Sequence, residues 1–405
     1  MAGATLVVHG VGELATCDPL RGEAPGVIRD AAVCATGEVI TYVGPSSGLR
    51  SVAVARDAVE IDAGGNAVVP GFVDCHTHLV WLGDRGDEYA RRAAGETYES
   101  IAASGGGIMS TVRATVAGSV AELVAAARER AARMLRLGTT TVEVKSGYGL
   151  ALDAEVRQLE AARVLAADPA LPSVVATYLP LHAAPPEPRA EFIEAACGEG
   201  LRRAAPLARF VDAFCERGAY SVEECERLFV AARAAGLGVK IHAEQLSHSG
   251  GARLAARMGA VSADHLEHAG ESDLGALAGA GVVGVLLPGA SLVLGGPPPP
   301  GRRLLEAGAQ VAIATDCNPG TCYSESMPLM MSLAVALAGL TPGQALVAAT
   351  GGGAAALALS DRGAIREGAR ADLCILDTPH WVDLAYHLGG AQVGRVVLAG
   401  AVAAA

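Results

Sequence analysis

Aromatic residues are scarce, with five Phe, two Trp and eight Tyr making 4% of 405 residues. Trp81 and Trp381 supply no stacking platform of the kind that single-stranded nucleic acid needs. Positive charge is short as well. Lys+Arg is 31 against Asp+Glu 43, a formal net charge of −12, which excludes the basic footprint of a nucleic-acid binder or of a protein drawn to anionic lipid. None of the nine cysteines forms a CxxC. An odd number cannot all pair internally, so reduced thiols in the cytoplasm are expected. No apolar run is long enough for a bilayer. Residues 274–301 and 326–360 carry no charge, but Pro288 and Pro297 to Pro300 break the first. Thr341-Pro342-Gly343-Gln344 cuts the second, as a helix N-cap with proline at the first helical position. No basic stretch precedes an apolar run at the N-terminus, so no signal peptide is expected. The glycine runs 105–107 and 351–353 lack phosphate-loop spacing.

What is present is apolar substance, 51% of residues. At roughly 150 residues per domain, the length suits two or three domains, or one large barrel with attachments. From Thr5 to about Val69, and again in Ala371–Asp377 and Val393–Leu398, short apolar runs are punctuated by Gly, Pro, Asp and Ser, which predicts antiparallel β at both ends. The middle alternates strand-like runs with segments of helical composition. The runs centre on 71–78, 139–145, 174–179, 210–214, 239–242, 263–265, 282–287 and 311–316, with helices predicted over 119–137, 153–166, 221–235 and 324–338 among others. Eight βα units are the count of a (β/α)8 barrel.

Chemistry-bearing residues fall at the C-terminal ends of these runs, where a barrel places its site: His76, His78, Lys145, His182, His242, His265 and Asp316. Five of the chain's ten histidines are among them, which an even scatter would not produce. In His76-Thr77-His78, residues i and i+2 of a strand point to one face, so two imidazoles can meet one cation. His242 alone would more often be a hydrogen-bonded core residue, and Asp316 alone either a helix cap or a functional group. Together with His76 and His78 they form a three-nitrogen, one-carboxylate set that suits zinc or non-haem iron with positions left open for water. A carboxylate beside such a water can take its proton and return it to a leaving nitrogen, which is hydrolysis chemistry. Of His265 and His268, the first is expected to face the site and polarise water or substrate. Gln245 stands where a glutamate could shuttle protons and an amide cannot. Arg85 is placed either to clamp a substrate carboxylate or to be a solvated loop charge.

Pro70-Gly71-Phe72-Val73-Asp74-Cys75-His76-Thr77-His78 resembles the metal-binding opening of the amidohydrolase superfamily, and residues 363–373 resemble its β-sandwich return. Residues 76–85, 143–150, 242–245 with 263–268, and 315–321 more narrowly resemble the imidazolonepropionase family. The likeness runs nearly the whole chain. It implies an α/β fold, a TIM-like (β/α)8 barrel over residues 70–360 plus a small β-sandwich from 1–69 and 361–405. It further implies one metal, zinc or iron, on His76, His78, His242 and Asp316, and substrate contacts from Arg85, Tyr148, His182, Gln245, Asn318, Gly320 and Thr321. Asp316 would handle the proton, assisted by His265 and Gln245. The implied reaction opens the ring of 4-imidazolone-5-propanoate, a small anionic heterocycle, to N-formimino-L-glutamate. A homodimer with no nucleic-acid or membrane partner is expected. The rival readings are a heterocycle deaminase, which would favour Glu at position 245, and a non-catalytic metal-binding scaffold.

Overall fold

The structure, a computed structural model, describes residues 3–97, 100–101, 104–183 and 188–403. The punctuated N-terminal runs form β1 (Ala4–Ala15), β2 (Val27–Thr36), β3 (Val39–Pro45), β4 (Val54–Asp62) and β5 (Val68–Pro70). Eight barrel strands follow: β6 (Phe72–Asp74), β7 (Thr139–Lys145), β8 (Ser173–Leu181), β9 (Phe210–Cys215), β10 (Gly238–Ala243), β11 (Ser262–His265), β12 (Val283–Leu286) and β13 (Val311–Ile313). The tail adds β14 (Leu373–Leu376), β15 (Val393–Leu398) and β16 (Ala401–Val402).

Both termini contribute to one eight-stranded sheet, joined where β14 pairs with β5, Cys374 opposite Val69. The pairing departs from the antiparallel β expected from sequence. β1 runs parallel to β4 along Ala4–His9 and parallel to β5 at Leu14, since β3 already runs in the direction of β1 and the chain crosses over after it to enter β4 in the same direction. β1 can serve two neighbours because it bends between Val8 and Val11, where Gly10 takes φ +63°. The sheet coils around its own apolar core, which includes Leu6, Val33, Ile40, Ile61 and Leu373.

The barrel strands run parallel, each hydrogen-bonded to the next from β6 to β13. Helices follow each strand, among them Val120–Arg136, Leu152–Ala166, Val222–Ala234 and Met327–Leu337. Ser119 and Ser221 cap two of them with Glu122 and Glu224 answering in capping boxes, and Thr341 with Gln344 does the same at the predicted break. Among the described residues no helix is long and apolar enough to cross a membrane.

Closure of the barrel occurs beyond the strand ends. His76 to His78 lie past β6, and Asp316 lies past β13, so strand alternation does not orient them as predicted. Asp316 N donates to His76 O at 3.0 Å, His78 N donates to Cys317 O at 3.0 Å, and Thr77 bridges to Cys317. Asp74 ties the seam from below, accepting from Thr315 N at 3.0 Å and Thr315 Oγ1 at 2.6 Å. Asp316 itself turns out of the strand at φ +50°.

The 351–353 glycine run has a packing explanation at the opposite end of the barrel. A Cβ on Gly352 would stand 2.2 Å from Val311 O, and one on Gly353 would stand 2.2 Å from Val73 O. Backbone cannot retreat from such contacts. Gly353→Ala is therefore expected to destabilise the fold by about 1–3 kcal/mol, seen as a lower thermal midpoint, and an unchanged midpoint would show that the helix can slide away from β6.

Candidate active site

Four side-chain acceptors converge at the mouth. His76 Nε2 lies 3.6 Å from Asp316 Oδ1, His78 Nε2 lies 3.5 Å from the same oxygen, and His242 Nε2 lies 3.5 Å from His78 Nε2. All four side chains are buried. Donors bound at ~2.1 Å around a tetrahedral ion stand about 3.4 Å apart, so these spacings match the edges of a coordination polyhedron. His76 Nδ1 meets Asp264 Oδ2 at 2.6 Å, a contact in which only nitrogen can supply the proton to a carboxylate. That leaves His76 Nε2 a bare acceptor, and it has no hydrogen-bond partner among the described residues. A buried acceptor aimed at a carboxylate is unfavourable without a cation between them, and the donor set fits a metal ion. Burial holds the His76 and His78 imidazoles well below their ordinary pKa and the Asp316 carboxyl well above its own.

Beneath the histidines lies a closed ionic lattice. Lys145 Nζ is 2.7 Å from Asp212, 2.9 Å from Glu143 and 3.6 Å from Asp264. Lys240 Nζ is 2.8 Å from Glu143 and donates to Cys75 O at 2.9 Å. Thr177 and Ser262 complete Glu143 and Asp264 with hydroxyl donors at 2.5 and 2.6 Å. The lattice reaches the site through Asp264 under His76, and through Asp212, whose Oδ2 is 3.1 Å from His242 Nδ1 although off-line for a hydrogen bond. Burial opposes the charge on Lys145, but Asp212, Glu143 and Asp264 outweigh it and hold its pKa above that of an ordinary lysine.

The predicted substrate contacts divide into two groups. Tyr148 and His182 join the histidines directly: His182 stacks on His78 at 4.7 Å between centroids, and Tyr148 packs edge-on to His182 at 5.4 Å. His182 Nδ1 donates to Gly147 O at 2.9 Å, so Nε2 is its acceptor, and burial with His242 nearby brings its pKa down to about 4. His265 is buried against His76 and His242 while His268 is exposed. Gln245 is half-buried at the rim. Asn318, Gly320 and Thr321 bond mainly to one another, Asn318 Oδ1 accepting from Gly320 N and Thr321 N at 2.8 Å each. Arg85 lies beside them in a cleft of about 360 Å³ with Tyr89 and Tyr323. A Cβ on Gly320 would stand 2.3 Å from its Nη1, so a larger residue there would make the guanidinium shift. Its Nε donates to Glu88 at 2.8 Å.

Sequence reasoning singled out Lys145 without a role and missed Asp212, Asp264 and Glu155. Glu155 is buried and accepts from Gly147 N, Gly149 N and Leu150 N at 2.7, 2.7 and 2.9 Å, fixing the turn that carries Tyr148. A signal existed. Glu143 and Lys145, and Lys240 and His242, are i, i+2 pairs of polar residues inside otherwise apolar barrel strands, and Lys145 and Lys240 are the only lysines in the chain.

Removing the ammonium strands buried carboxylates. Lys145→Met is expected to lower the unfolding free energy by roughly 3–5 kcal/mol. Lys145→Arg should not restore it, because a planar fork cannot stand at one point among three carboxylates. Denaturant midpoints decide it, and a wild-type midpoint for Lys145→Arg would contradict the point-charge account.

Residues 67–403 match the Amidohydrolase family. The chain is 48% identical over 399 residues to the imidazolonepropionase of Deinococcus radiodurans, covering 97% of this chain and 98% of that protein. It is 45% identical over 410 residues to that of Rubrobacter xylanophilus, covering 99% of each. In fold it is similar to a zinc-bound adenosine deaminase from Xanthomonas campestris, with TM-score 0.75 and 24% identity over 98% of this chain and 92% of that one. A 5-methylcytosine deaminase from Klebsiella pneumoniae gives TM-score 0.74 at 18% identity over 98% and 96%. At such identities the two deaminases speak for the barrel and its attached sheet alone, whereas the full-length likeness to the first two proteins reaches further: the chain belongs to the amidohydrolase family and, within it, to the imidazolonepropionases.

Proposed function

We propose that the chain hydrolyses the ring amide C–N bond of 4-imidazolone-5-propanoate to N-formimino-L-glutamate in histidine degradation, using one ion, zinc or iron, on His76, His78, His242 and Asp316. The observation that carries the chemistry is the convergence of imidazole nitrogens on Asp316 at 3.5–3.6 Å, with an arginine in the adjoining cleft. When bound, such an ion acts as a Lewis acid, lowering the pKa of water toward ~7 and polarising a carbonyl.

The chain's own residues supply binding and proton transfer. Arg85 offers its Nη groups to the propanoate carboxylate while Glu88 holds its Nε. Tyr148 and His182 line the ring, and the bare Nε2 of His182 accepts from a ring N–H. Gln245 contributes an amide at the rim, and Asn318, Gly320 and Thr321 set the loop against which Arg85 lies. Asp316 takes the proton of the water as oxygen adds to the ring carbonyl, with His265 aiding the activation of that water. It gives that proton to the ring nitrogen as the C–N bond breaks. One water is consumed, and one molecule bearing a new carboxylate and a formimino nitrogen leaves.

Freshly generated 4-imidazolone-5-propanoate should lose its absorbance on incubation with the metal-loaded protein, and chelation should abolish this. Ammonia release from heterocycles with no imidazolone turnover would favour a deaminase instead. Asp316→Asn is expected to lower kcat by roughly 10²–10⁴-fold, and near-wild-type turnover at full metal content would remove Asp316 from proton transfer. Arg85→Ala should raise KM far more for the propanoate than for an analogue without the carboxylate, and equal losses on both would mean that Arg85 does not clamp it.

A further inference from the structure

At the end of β11 the backbone takes two consecutive left-handed residues, His265 at φ +80° and Leu266 at φ +72°. Neither is glycine, so each costs of order 1–3 kcal/mol and persists only if its surroundings enforce it. Leu266 N donates to Ala243 O at 3.0 Å and His268 N to Glu244 O at 2.8 Å, which hold the turn against the end of β10. The turn folds Glu267 back toward the ring that precedes it, so that Glu267 Oε2 lies 3.9 Å from His265 Nδ1. Both atoms are buried, and neither has a hydrogen-bond partner among the described residues.

The other carboxyl oxygen is fixed. Ser291 Oγ donates to Glu267 Oε1 at 2.5 Å from the helix Pro288–Leu294, so the neighbouring βα unit braces Glu267. Two orphaned, complementary atoms stand face to face, and a small turn of the imidazole closes 3.9 Å to the ~2.9 Å of a hydrogen bond. An imidazole nitrogen that donates leaves the other ring nitrogen as a bare acceptor. His265 packs 5.6 Å from His76 and 5.5 Å from His242 between ring centroids, so the direction of its second nitrogen matters to the reacting centre.

We propose that Glu267 is the positioning residue for His265: it accepts Nδ1–H, fixes the tautomer, and presents a bare Nε2 to the site. This rests on the assignment of His265 to the ring-opening reaction. Glu267 touches no substrate in this account, and Ser291 acts one step further out by holding the carboxyl.

The test compares Glu267→Gln, which keeps a carbonyl acceptor, with Glu267→Leu, which removes it. Imidazole-nitrogen NMR of the zinc-loaded full chain, with histidine labelled, reads the His265 tautomer without substrate. Wild type and Glu267→Gln should both show Nδ1 protonated and Nε2 bare. Glu267→Leu should show mixed tautomers and a kcat lowered by about 10–100-fold at unchanged KM and metal content, with Glu267→Gln recovering most of the loss. The proposal is overturned if Glu267→Leu keeps the wild-type tautomer, or loses activity only in proportion to bound zinc or folded protein. If Glu267→Leu does not fold, Ser291→Ala carries the comparison, mixed tautomers being expected and an unchanged pattern overturning it. Failure of wild type to open imidazolone would dispose of the reaction assignment, while the tautomer measurement would still decide the role of Glu267.

Discussion

The ammonium of Lys145 stands within 3.6 Å of three buried carboxylates, and two of those carboxylates lie against the histidines of the candidate metal site. The placement explains why the residue is lysine in a chain whose other cations, Lys240 apart, are arginines. A compact point charge with three donors can sit at a common vertex, whereas a planar guanidinium presents its donors along an edge. Burying such a cluster is costly, and the cost is tolerable only while each charge keeps its partners. The return is orientation. With Asp264 held by Lys145 and Ser262, His76 has one tautomer and one ring direction before any ion arrives. The site's shape is set from beneath, by charge, rather than from above by loops.

Loops instead supply aim. Of the non-glycine residues with positive φ, Leu150, Glu244, His265, Leu266 and Asp316 all sit at the barrel mouth, immediately after strands or in the turns that follow them. A strand alone would alternate its side chains between the barrel interior and the surrounding helices. A left-handed residue breaks that alternation, letting Asp316 face two histidines from beyond β13 and letting Glu244 accept from Gly250 N and Ala252 N at the start of the following helix. Backbone strain here is concentrated where side chains must leave the direction the sheet would give them.

The same distinction separates what could be read from sequence from what could not. Barrel, strand count and most helix positions follow from periodicity and caps, which are local. The three histidines and Asp316 were legible because function places polar groups at strand ends in an apolar chain. Asp212 and Asp264 were not, since a single carboxylate in a strand carries no sign of its partner, and Lys145 meets them only when non-adjacent strands 67 and more residues apart are brought into one barrel. The parallel course of β1 beside β4 was hidden for a related reason, because alternation reports a face but not a direction. Glu155 and Glu88 read as ordinary helical acids, and only the fold turns one toward three backbone amides and the other toward Arg85.

A net charge of −12 is an odd background for an anionic substrate, and the structure divides that difficulty in two. In formal charges the lattice holds two ammoniums and three carboxylates, and Asp316 adds a fourth carboxylate above them. On the proposed site a divalent ion would bring this cluster to formal neutrality. In the proposed binding mode, recognition of the carboxylate would be left to Arg85, at the side. There Glu88 accepts from Nε and also from Gly107 N at 3.1 Å, so one carboxylate fixes the guanidinium to the loop that borders the cleft. Glu88 also offsets the arginine's charge. In that proposed mode what survives is direction more than attraction, the Nη edge being offered to a carboxylate of the right reach. Attraction alone would have admitted any small anion, whereas a cation already half-compensated rewards only the one whose geometry completes it.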